Sequence, residues 1–123
     1  MFSKRLKYAR IERERRFLLA ALPAGLEPDA GYQQFEDLYF PGTSLRLRRV
    51  TSPAGDVVEL KLNQKLPHDS NAPSHRIVAS VYLPAADFGL LGSLPGRRLV
   101  KRRYAFPWRG VGFGVDVFQE GRT

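Results

Sequence analysis

Between Ile11 and Phe17 the chain reads Glu12-Arg13-Glu14-Arg15-Arg16, acids and bases set beside apolar residues. Extended, this segment puts Glu12, Glu14 and Arg16 on one side, with neighbours about 6.5 to 7 Å apart. Two carboxylates at that spacing can hold a divalent cation through oxygen ligands, and a guanidinium two residues further can grip a phosphate through paired hydrogen bonds. Coiled into a helix, the segment loses that chemistry, because Glu12 and Glu14 then point to opposite faces. Helix is a genuine rival here. Arg, Glu, Leu and Ala are good helix formers, and Leu6, Arg10, Glu14 and Leu18 recur at i+4 spacing.

Composition narrows the partners. With 123 residues and 43% hydrophobic content, the chain is of single-domain size and can bury a modest core. Lys and Arg number 20 against 12 Asp and Glu, and the resulting +8 charge favours nucleic acid, phosphate-rich metabolites or anionic lipid. No apolar run reaches the length of a membrane span, and the basic N-terminus lacks the apolar core and cleavage site of a secretory signal. A cytoplasmic protein is the expectation. There is no cysteine, which removes disulfides, thiolate metal sites and cysteine nucleophiles. Leu66 to Ser74 reads as a Pro/Asn/Ser/His loop; His68 and His75 sit in this polar segment as plain loop residues, and without a carboxylate at matching spacing they make a thin case for zinc.

The remainder reads as strands. Gln34 to Phe40 and Ser44 to Val50 flank Pro41-Gly42-Thr43, a hairpin signal. In the second of them leucines alternate with Arg46 and Arg48, so one face is apolar and the other basic. After the turn at Pro53-Ala54-Gly55-Asp56, Val57 to Lys65 sets Glu59, Lys61, Asn63 and Lys65 against Val58, Leu60 and Leu62. Arg76 to Leu83 carries Ile77, Ala79 and Val81 on one side. Pro84 opens a short helix through Leu94, ended by Pro95-Gly96. Arg98 to Phe106 and Val111 to Gln119 complete the set, with Lys101 and Arg103 opposite Arg102 and Tyr104, and with Val115 and Val117 opposite Asp116 and Phe118.

The order of these pieces resembles the CYTH domains, or triphosphate tunnel metalloenzymes. An acid-x-acid-x-base run near the N-terminus is followed by Asp37-Leu38-Tyr39-Phe40, Leu45-Arg46-Leu47-Arg48, Glu59-Leu60-Lys61-Leu62-Asn63-Gln64-Lys65, Lys101-Arg102-Arg103-Tyr104 and Val115-Asp116-Val117-Phe118. The likeness runs from about Tyr8 to Phe118 and tips the first segment from helix to strand. It implies an α+β, mainly antiparallel β protein: a partial β-barrel with one short helix around residues 84–94, whose lumen binds a triphosphate-containing small molecule beside magnesium or manganese. By the same resemblance Glu12 and Glu14 are metal ligands, while Arg16, Arg46, Arg48, Lys61, Lys65, Lys101 and Arg103 face phosphate. Arg16 stands where a lysine is usual, which keeps the charge and changes the donor geometry. No catalytic residue is identified. If the chain is active, the resemblance implies a metal-dependent triphosphatase.

CYTH domains continue past the Asp-Val-Phe segment into a further acid-x-acid strand that closes the barrel. Set against that pattern, residues 1–123 read as one domain truncated at its C-terminal end, with a sheet edge open to pairing in a homo-oligomer. Simpler readings run alongside. Taken alone, Arg46 and Arg48 suit a solvated sheet face, and Asp37 and Asp116 suit ion pairs or turns. Tyr104, Phe106 and Trp108 after Lys101 to Arg103 keep a non-catalytic basic module for RNA or polyphosphate in view.

Overall fold

In the computed structural model, which describes residues 10–13, 17–23, 26, 31–67 and 75–119, all strands join one sheet. They are β1 (Arg10–Arg13), β2 (Tyr32–Tyr39), β3 (Leu45–Thr51), β4 (Val57–Pro67), β5 (His75–Tyr82), β6 (Arg97–Trp108) and β7 (Val111–Phe118), with helix α1 (Ala85–Gly92) before β6. The order across the sheet is β1-β5-β4-β3-β2-β6-β7, every neighbouring pair antiparallel, and the sheet curls into a half-barrel.

The first segment is strand where it is described. Arg10 to Arg13 pair with Val78 to His75, so partner hydrogen bonds prevail over the helical propensity of Arg and Glu. Glu14 and Arg16 lie outside the described residues.

The turns follow from local chemistry. Gly42 at φ 78° and Gly55 at φ 92° supply the left-handed backbone of the β2–β3 and β3–β4 connections. Thr43 Oγ1 donates to the Phe40 carbonyl at 2.7 Å and fastens the first. Between Val50 and Thr51 the β3–β4 register shifts, Val50 facing Glu59 and Thr51 facing Val57. One reading needs correction: β4 does not stop before a loop at Leu66, because Leu66 and Pro67 still pair with Ile77 and Arg76. His68 lies outside the described residues, and His75 begins β5. Helix α1 starts after Pro84, and Ser93 closes it through a hydroxyl hydrogen bond to the Leu90 carbonyl at 2.6 Å. No helix among the described residues is long and apolar enough to cross a membrane.

Cross-strand partners share a face, so the registers sort the side chains. One face holds buried Leu38, Leu47, Tyr104 and Val115; Phe88 and Gly92 of α1 lie against it beside Leu38 and Leu47. This is the outer face. The other holds buried Phe35, Val50 and Val78 together with the buried polar residues among those described: Asp37, Arg48, Asn63 and Lys101. No described element covers these residues.

Candidate functional site: a basic inner face

Arg46 and Arg48 sit two residues apart on β3, and the register carries their face across the sheet. Arg48 is opposite Asp37 on β2 and Lys61 on β4; Arg46 is opposite Asn63, which is opposite Ser80 on β5. Phe35, two residues before Asp37, is opposite Lys101, and Arg103 is opposite Asp116 on β7. Lys65 falls on the same side by alternation from Lys61 and Asn63, and so do Arg76 and Arg97. Register places Glu12 across from Arg76.

These cations are not equivalent. Arg48 is a structural member of the face. Its Nε and Nη2 donate to both oxygens of Asp37 at 2.7 and 2.8 Å, with side chains 7% and 0% exposed. A solvated sheet face does not describe it, since Arg48 and Asp37 are buried as a pair. On β6 and β7, Asp116 takes a bidentate grip from Arg103, at 2.7 and 2.9 Å, and a contact from Lys101 at 2.8 Å. Burial pushes the Asp116 carboxyl up, but these partners outweigh it and hold it at about 2. Burial draws Lys101 below the usual lysine range, and Asp116 only partly offsets it. Phe35 lies beneath this group: Arg48, Arg103 and Lys101 stand 4.2, 4.7 and 5.9 Å from its ring centre. An aromatic face attracts cations and helps hold like charges together.

Arg46 is compensated less directly than Arg48. Its Nη2 donates to the neutral amide of Asn63 through Oδ1 at 2.7 Å, and Asn63 passes the chain on to Ser80 Oγ at 2.6 Å; the Tyr39 side chain and the Asp37 charge also favour its charged form, but Asp37 is already held by Arg48. Its Nε is buried with no hydrogen-bond acceptor among the described residues. Burial first, and then the charge of Arg48, lowers its affinity for its proton. Lys61, on the neighbouring strand, contacts Glu59 at 3.2 Å.

The carboxylates described on this face are thus engaged, Asp37 by Arg48, Asp116 by Arg103 and Lys101, and Glu59 by Lys61. Among the described residues no group of three His, Asp or Glu could hold a metal ion. The guanidinium and ammonium groups described on this face are donors suited to an anion.

Sequence reading missed Arg76, Arg97 and Phe35 as members of the face, and it set Asn63 beside Lys61 without giving it a role. Alternation could have found Arg76 and Arg97, each two residues from an inner position, but the roles of Asn63 and Phe35 depend on which strands become neighbours. The aromatic run divides: Tyr104, Phe106 and Trp108 occupy the outer face, while Lys101 and Arg103 face inward. No family model, no curated protein sequence and no solved structure matches this chain.

Proposed function

We propose that the inner face binds a triphosphate-containing small molecule, as the resemblance to CYTH domains implies. The observation that carries this is Arg46, a largely buried guanidinium on the cation-rich face of the curled sheet, hydrogen-bonded to a neutral amide and with a buried Nε that has no acceptor among the described residues. Asp37, the carboxylate that attracts Arg46, is already held by Arg48, so the cost of burying this cation is only partly offset, and a phosphate oxygen is the geometric complement of a guanidinium edge. Lys61, Lys101 and Arg103 lie on the same face to receive the rest of a polyanion, and Lys65 and Arg16 extend the set in the resemblance. Arg48 contributes by holding Asp37 and by its field.

Calorimetric titration with inorganic triphosphate at fixed salt tests this. Arg46→Ala is expected to weaken binding at least tenfold, about 1.4 kcal/mol, with an unchanged circular-dichroism spectrum. Equal affinity in the variant would remove the site. Turnover is a separate question resting on Glu12 and Glu14. Phosphate release that requires magnesium or manganese and vanishes in Glu14→Gln would make the protein a triphosphatase.

A further inference from the structure

The half-barrel has two edges, and they are protected very differently. At one, β1 is four residues long and carries Arg10 and Arg13. Short length and cationic side chains are how sheets discourage pairing with strangers. At the other, β7 is eight residues long, Val111-Gly-Phe-Gly-Val-Asp-Val-Phe118, and keeps an unbroken register with β6. It has no Lys, Arg or Pro. Its single charge, Asp116, is held inward by Arg103 and Lys101. Val111, Phe113 and Phe118 are exposed. Among the described residues no strand pairs with the far side of β7, whose backbone donors and acceptors therefore form a long template without the charge, proline or bulge that usually deters pairing.

The sequence of β7 complements itself in one antiparallel register. With a twofold axis at Val115, Val115 faces Val115 of the second copy, and Phe113 faces its Val117 on the outer side. On the inner side Phe118 faces Gly112 and Asp116 faces Gly114. Each large inner side chain meets a glycine, an arrangement in which an aromatic covers the bare backbone of its cross-strand neighbour. The two Asp116 carboxylates stay apart. We propose that β7 pairs with β7 of a second copy of this chain about this axis, giving an isologous dimer with one sheet continuous through both copies.

The chain has no cysteine, so single cysteines report the register without ambiguity. Light scattering on the eluting protein at up to about 100 µM, in salt sufficient to screen the +8 charge, is expected to give twice the chain mass. Val115→Cys should form a disulfide-linked dimer under mild oxidation. Val111→Cys should not, since in this register the two copies of position 111 lie on the order of 25 Å apart. Phe113→Lys, which places a charge on the paired strand, should elute as a monomer with an unchanged circular-dichroism spectrum. A wild-type monomer at that concentration overturns the proposal and leaves the edge to a strand from another protein. A dimer that persists in Phe113→Lys, or that crosslinks at 111 and not at 115, overturns it equally.

Discussion

Two arginines two residues apart on β3 show how much the surroundings of a side chain matter. Arg48 is matched by a fully buried carboxylate, and Arg46 by an amide. Removing Arg48 strands the Asp37 charge in the interior, a loss on the order of 3 to 5 kcal/mol, whereas removing Arg46 takes away a charge whose burial is only partly offset and leaves no buried carboxylate without its fork. Arg48→Ala should therefore unfold at much lower denaturant than Arg46→Ala, and equal midpoints would show that the Asp37 fork contributes nothing. Asp116 gives the second test at this scale. Its folded pKa, about 2, lies below the unfolded carboxylate value, so its stabilising contribution is fully present above about pH 4 and is lost as pH falls from there through 2. The contribution is on the order of 2 kcal/mol. Asp116→Asn should destabilise the protein near pH 7 by about that amount and cost little near pH 2. A difference that stays constant across that range would deny the ion pair its role.

At the scale of elements, period-two alternation was legible and neighbour choice was not. The alternation of Arg46 and Arg48 with leucines, and of Lys61 with Leu60 and Leu62, announces strands with one basic face, and the structure has them so. Alternation is local. That β2 lies between β3 and β6, which brings Arg48, Lys101 and Arg103 over one phenylalanine, depends on contacts far apart in the chain. Leu66 and Pro67 were misread for the same reason: Pro and nearby polar residues signal a loop, yet pairing with β5 keeps the strand extended. Gly96 shows the converse. In sequence it marks the end of a helix, while in the structure a Cβ there would meet the Tyr39 carbonyl oxygen at 2.5 Å and Leu38 Cδ1 at 2.7 Å. The start of β6 needs a residue without a side chain against the end of β2. Gly96→Ala should cost about 1 to 3 kcal/mol in chemical denaturation, and a neutral substitution would mean that β6 moves aside freely.

Over the whole molecule, the +8 charge visible in the composition acquires a location. Sequence alone allowed it to be spread around the surface; the curled sheet gathers Arg46, Arg48, Lys61, Lys101 and Arg103 on one face, where Asp37, Glu59 and Asp116 are already paired. Which anion fits was not legible, because it depends on the depth and spacing that the curl creates. A concave cationic surface should bind a polyanion with a strong salt dependence, weakening as the screening length shrinks from ~10 Å toward ~3 Å. It should also respond to pH through Lys101, the member of this set that is a lysine drawn down by burial. An arriving phosphate replaces some of the lost solvation and favours the charged ammonium, so binding is coupled to proton retention on Lys101 and weakens as pH rises through its lowered pKa. Lys101→Arg keeps the charge on a group that stays protonated. Its triphosphate affinity should remain flat over the alkaline range in which the wild-type affinity falls, with both proteins losing affinity alike as salt is added. If the wild type shows no alkaline loss before unfolding, or if Lys101→Arg follows the same pH curve, Lys101 does not touch the bound anion, and the phosphate lies toward Arg46 and Lys61 instead.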